Sequence, residues 1–112
     1  MAKRNKSLRT HCVFELTMDI IGGKWKGVIL HRLFEGTKRF VELKKLMPDI
    51  TPRMLTLQLR ELEADKIVCR KVYAEVPPRV EYSLTTFGKA LEPAFAKISE
   101  WGRLYTSKIK KP

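Results

Sequence analysis

Apolar residues recur at helical spacing over several stretches of the chain and alternate over two others. Phe14, Met18 and Ile21 fall at i, i+4 and i+7, and Gly22-Gly23 stops the helix they predict. A second helix is expected from near Lys24, with Trp25, Val28, Ile29 and Leu33 on one face, ending at Gly36. After a short segment from Thr37 to Phe40, a third helix uses Phe40, Leu43, Leu46 and Met47, and Pro48 closes it.

The stretch that follows, "PDITPRMLTLQLREL", carries the most complete start signals in the chain. Thr51 is a good N-cap, and Pro52 falls at the first helical position, where its missing N–H costs nothing. Ile50, just before the cap, can pack on Leu55 as a hydrophobic staple. No glutamate stands at the third position, so a capping box is absent. The helix should run from Thr51 to about Asp65, with Leu55, Leu59 and Leu62 within about 40° of one line on its surface. Arg53, Leu57 and Arg60 fall near the opposite side, with Thr56 at the flank.

Val68 to Tyr73 and Arg79 to Leu84 alternate and are rich in valine and tyrosine, so they read as strands. Between them "AEVPP" makes a stiff tip, because Pro77 and Pro78 lack ladder donors. Cys69 alternates within the first strand and is expected to be buried. Thr85 caps a final helix with Leu91, Phe95, Ile98, Trp101 and Tyr105 as apolar positions, and Pro93 inside it should bend it. The expected fold is therefore mainly α with a small β-hairpin wing. A short turn between Leu46 and Thr51 followed by that hairpin suits a winged helix-turn-helix, whose second helix lies in a DNA major groove.

Composition narrows the function. At 112 residues the chain suits one domain. No apolar run approaches a membrane span, and the N-terminus lacks a signal peptide's apolar region, which points to a soluble cytoplasmic protein. The formal charge is +11, but residues 1–10 and 103–112 supply +8 of it, and the other 92 residues carry only +3. Basic ends attract any polyanion, nucleic acid or anionic membrane, so charge alone leaves both open. The expected organisation is a basic arm at 1–11, a folded domain at 12–107 and a basic tail at 108–112. The two cysteines and two histidines have no metal-ligand spacing, and no metal or cofactor is expected. His31 has no carboxylate, serine or cysteine partner at a suggestive spacing, which argues against an enzyme.

Longer stretches carry a resemblance. "IIGGKWKGVIL", "KRFVELKKLMPDITPRMLTLQLRELEAD" and "VYAEVPPRVEYSLTTFGKAL", followed by "EWG", resemble the HxlR-type family of bacterial transcriptional regulators, relatives of the MarR group. The likeness covers roughly residues 12 to 102. It implies a homodimer, formed through the terminal helices, that reads a pseudo-palindromic operator in double-stranded DNA. Three positions depart from the family pattern. Lys66 stands where the family usually has glycine, Val41 where it often has serine, and Cys12 is followed by Val13 rather than proline.

Each candidate site has a plainer alternative. Arginine at an outer helix face can read guanine edges, threonine and glutamine can hydrogen-bond, and leucine can contact thymine methyls. A solvated face explains arginine and threonine but explains Leu57 poorly. With the resemblance included, Thr51, Arg53, Thr56, Leu57, Gln58 and Arg60 are the base-facing candidates. Arg79, after the prolines of the wing at 74–79, reaches phosphates or a minor groove, or is an ordinary strand residue near Glu75 or Glu81. Lys38, Arg39, Lys24 and Lys26 are candidate phosphate contacts. "GGKWK" lacks the G-x-x-x-x-G-K-[ST] pattern of a phosphate-cradling loop.

Phe14, Met18, Phe95, Ile98, Trp101 and Tyr105 exceed what one small core needs and are the candidate dimer contacts, although they can also pack within one chain. Cys12 matches a position that some members of the family use as a thiol sensor, and Arg9 and His11 lie near it in sequence. Its plainer role is a small apolar residue at a helix start. A small-molecule or electrophile effector stays open. The rival function is a winged-helix module for protein or RNA contact without sequence-specific readout of DNA.

Overall fold

The helix expected from Thr51 starts where its signals put it. In the computed structural model, which describes residues 12–109, the Thr51 hydroxyl accepts the Met54 amide at 3.0 Å and Pro52 occupies the first turn. Ile50 is buried before the cap, and the buried Leu55, Leu59 and Leu62 hold the helix to the core. This element is α4, Pro52–Ala64. It follows α1 (Val13–Ile21), α2 (Lys26–Phe34), β1 (Lys38–Arg39) and α3 (Phe40–Leu46). After it come β2 (Val68–Tyr73), β3 (Arg79–Leu84), α5 (Thr86–Lys89) and α6 (Glu92–Ile109). The architecture is mainly helical with a small antiparallel sheet, as the apolar pattern predicts.

Helix α4 ends in a left-handed residue. Lys66 has φ +67°, the Ile67 amide donates to the Leu62 carbonyl at 3.0 Å, and the Lys66 amide donates to the Glu63 carbonyl at 3.0 Å. That pair of bonds is a Schellman cap, and Leu62 and Ile67 on its two sides are both buried in the core. Glycine is the unstrained residue at such a position. Lys66→Gly is therefore expected to raise stability by about 1 kcal/mol, read as a higher urea midpoint at unchanged slope; an equal or lower midpoint contradicts it.

The sheet has three strands in the order β1-β3-β2, one more than the sequence pattern predicts. β2 and β3 pair antiparallel from Val68 with Leu84 to Tyr73 with Arg79. β1 adds Lys38 opposite Tyr82 and Arg39 opposite Glu81. Two residues cannot show an alternation, so β1 exists only through its pairing. Cys69, expected to be buried, is exposed, since it points to the face of the sheet opposite Val68, the only buried residue of β2. Tyr82 on central β3 is buried, and that burial pushes its phenol above the ordinary value of 10.0.

Three helical expectations need correction. In α2 the buried face is Lys26, Ile29, Leu30 and Leu33, and Trp25 at the N-cap packs partly buried against the same core, while Val28 is exposed because it falls on the far side of the helix from them. In α3, Leu43 and Met47 are buried one turn apart and Leu46 turns outward. The final helix is two helices, separated at Ala90 and Leu91. Pro93 lies in the first turn of α6, where a missing N–H is tolerated, so it starts this helix rather than bending it. Helix α6 also runs through Ile109, two residues into the segment read as a tail. The basic arm at 1–11 and residues 110–112 lie outside the described residues.

The N-cap of α3 is Arg39, so Val41, expected to cost this helix its side-chain cap, lies inside the helix instead; the Arg39 side chain makes no cap hydrogen bond. Glu42 substitutes: its carboxylate accepts the Arg39 amide at 2.7 Å. The core runs from Ile21 through α2, α3 and α4 to Tyr82 and Leu84 of the sheet, so α4 is held from behind, with Arg53 and Arg60 exposed on its other side.

Candidate nucleic-acid interface

On α4 the candidate residues off the line of Leu55, Leu59 and Leu62 divide into two kinds. Arg53 and Arg60 are exposed, and neither forms an ion pair among the described residues. Seven residues apart, they lie on one face about 10.5 Å from each other along the axis. Thr56, Leu57 and Gln58 are half-buried. The Thr56 hydroxyl donates to the Pro52 carbonyl at 2.9 Å, which leaves its oxygen as an acceptor. The Gln58 amide donates to the Met54 sulfur at 3.2 Å, a weak partner within the same helix. Thr51 is exposed, with its oxygen occupied by the cap.

The other candidate cations differ in their availability. Arg39 and Lys24 are exposed, Lys24 with its ammonium 4.9 Å from the Trp25 ring centre. Lys38 approaches Glu35 at 3.5 Å and keeps a partly exposed side chain. Lys26 is a correction: it is 4% exposed, and its ammonium donates to the Glu61 carboxylate of α4. A charge buried and paired inside the protein is not available to a phosphate. Arg79 is a second correction. Its guanidinium pairs with Glu75 at 3.2 Å and Glu81 at 3.8 Å and lies 3.9 Å from the Tyr73 ring centre. Tyr73 in turn donates to Glu81 at 3.1 Å. The strand alternative for Arg79 therefore describes its surroundings. The sequence reading missed exposed Lys45 on α3 and Lys71 on the wing, since neither stands out from an ordinary polar surface by spacing.

The candidate dimer residues also separate. Phe14, Met18, Ile98, Trp101 and Tyr105 are exposed, Trp101 to 63%. Phe95 is half-buried and meets Phe34 edge-on at 5.3 Å, so its packing lies within the chain. Helix α6 spans 18 residues without one that is buried. Ala94, Ile98, Trp101 and Tyr105 follow one another at intervals of four, three and four along it, which is the spacing of a helix seam. Val13, Leu104 and Ile109 are further exposed apolar residues that the sequence reading missed. A cavity of about 520 Å³ lined by Leu16, Ile20, Ile67, Phe87 and Leu91 lies between α1 and the C-terminal end of α4. Cys12 is exposed at the N-cap of α1.

Comparison with known proteins matches this arrangement to one family. The model of the HxlR-like helix-turn-helix family matches residues 20–110. The HTH-type transcriptional regulator YdeP of Bacillus subtilis, described as uncharacterized, is 58% identical over 100 residues, covering 89% of this chain and 78% of YdeP. The solved structure of the redox regulator HypR in its oxidized form is 59% identical, with a TM-score of 0.79, covering 82% of this chain and 95% of that one. HypR in its reduced form is 52% identical with a TM-score of 0.85, covering 90% of this chain and all of the other.

Proposed function

The chain belongs to the HxlR-like helix-turn-helix family of DNA-binding transcriptional regulators, not to a family of enzymes, and on that premise we propose that it acts as a homodimer whose paired α4 helices read a pseudo-palindromic operator. The observation that carries this reading is the exposed Arg53 and Arg60 on the face of α4 opposite its buried leucines. Arginine forks match the paired acceptors of guanine, and the half-buried Leu57 between them supplies an apolar contact suited to a thymine methyl. Thr51, Thr56 and Gln58 complete the reading face. Lys38, Arg39 and Lys24 steady the helix on phosphates, which fixes register without carrying sequence information. The wing at 74–79 lies along the backbone or the minor groove. Arg79 contributes there only if DNA displaces its two carboxylates. Among the described residues no helix is long and apolar enough to cross a membrane, and a cytoplasmic location accords with action on DNA.

The exposed seam of α6, together with Phe14 and Met18 of α1, supports the dimer, since contiguous apolar faces of this kind mark interaction surfaces. A two-fold dimer sets half-sites about 34 Å apart, one turn of the duplex. Sedimentation at micromolar concentration should give twice the chain mass, and Trp101→Glu should give the chain mass. A concentration-independent monomer of the wild-type protein would contradict the reading.

Cys12 supports a second property, response to thiol oxidation. It is exposed at the start of α1, one of the two helices proposed to pair, and the similar HypR is titled a redox regulator. In a duplex-binding assay, oxidant should change operator affinity of the wild-type protein and leave Cys12→Ser unchanged; equal responses remove Cys12 from the mechanism.

A further inference from the structure

The reading of α4 as the DNA-contacting helix leaves open what fixes its rotation about its own axis. The leucine stripe alone does so weakly, because apolar contact is non-directional and repacks. A rotation of about 20° swings a side-chain tip by about 2 Å, enough to break a base contact whose length range is about half an ångström. A second, directional attachment away from the leucine line is needed.

Lys26 is the only charged residue buried among the described residues, and its partner Glu61 lies on α4. The two side chains are 5% and 17% exposed, and the bond joins residues 35 apart in sequence. Lys26 opens α2, whose Ile29, Leu30 and Leu33 are anchored in the core, so the ammonium is held by a rigid element. Glu61 stands about 120° around α4 from the leucine line, next to Arg60 in sequence and one turn beyond Leu57. A second ion pair from α4 among the described residues, Glu63 with Arg70, is longer at 3.7 Å and joins two well-exposed side chains.

We propose that Lys26 and Glu61 are positioning residues that set the rotation of the recognition helix, and so determine which bases Arg53, Leu57 and Arg60 can reach. The leucines supply holding energy and the pair supplies registry. A buried ion pair contributes little net stability against an apolar replacement of similar size, whereas removing one partner strands the other charge. Registry is the use for which such pairs are best suited. Lys26 in this account touches no DNA.

The test compares the wild-type protein with the Lys26→Met/Glu61→Leu double variant. Its probes are the duplex that the wild-type protein selects from a random pool and a scrambled duplex of equal length. The double variant should melt at or above the wild-type temperature, because the core is filled. Its preference for the selected duplex should fall about tenfold, in the range of one mismatched base pair. The slope of log affinity against log salt should stay as in the wild type, since no phosphate contact is lost. An unchanged preference overturns the proposal. Equal weakening on both duplexes with a slope shallower by about one makes Lys26 a phosphate contact and also overturns it. If the double variant does not fold, Glu61→Gln, which keeps the shape and an acceptor oxygen, must lower the preference; an unchanged preference there overturns the proposal equally. A wild-type protein that selects no sequence overturns the recognition-helix reading and this inference with it, whereas a selected duplex with preference intact in the variants overturns this inference alone.

Discussion

Replacing Arg53 and Arg60 together by alanine is expected to cost about 2–6 kcal/mol of operator affinity, at least a thirtyfold weakening. Each bidentate arginine contact to guanine is worth about 1–3 kcal/mol of discrimination, and the two side chains stand about 10.5 Å apart along α4. That separation favours additive losses and spans about three base pairs. The folded state should be nearly untouched, because both side chains are exposed and make no ion pair among the described residues. Thermal melting should therefore move little while competitive binding against random duplex collapses. Losses of equal size on operator and random DNA, with a salt slope shallower by about two, would make both residues phosphate contacts and not readers.

Leu59→Ala is expected to remove about 2–5 kcal/mol of stability, a large share of the 5–15 kcal/mol that holds a typical domain folded. Leu59 is 1% exposed and stands between Leu55 and Leu62 in the stripe that fixes α4 against α2 and β2. The cavity left behind is lined by rigid neighbours in two helices and a strand, so it collapses poorly. Urea unfolding should show a lower midpoint at an unchanged slope. A shift below 1 kcal/mol would mean that α4 is not clamped as its burial implies, and the geometry of the reading face would lose its foundation.

The two expectations depend on opposite faces of one helix, and the sequence was unequally informative about them. Thr51, Pro52 and Ile50 announce where α4 begins, because capping is local chemistry written in adjacent residues. The leucine stripe announces its inner face through periodicity. Lys66 could be singled out as a departure from glycine before its left-handed backbone was seen. Other features depend on distant partners and left no local trace. Lys26 looks like any lysine near a helix start until Glu61, 35 residues away, is brought against it. Arg79 looks like a free wing cation until Glu75, Glu81 and Tyr73 close around it. β1 is too short to have a pattern, and which face of β2 is covered, that of Val68 and not that of Cys69, depends on distant packing. Pro93 was misjudged because the break after α5 cannot be read from spacing alone. The surplus of apolar residues on α1 and α6 was legible, whereas the inward turn of Phe95 toward Phe34 was not.

The central claim is that α4 reads bases from its outer face as one half of a symmetric pair. Selection of bound duplexes from a random pool, run in parallel with the wild-type protein and Arg53→Ala, tests it most directly. The wild-type protein should enrich a pseudo-palindrome with half-sites about one helical turn apart. Arg53→Ala should enrich the same spacing but lose base preference at one symmetric pair of positions. Identical preferences from both proteins, or no enriched sequence from either, would contradict the account.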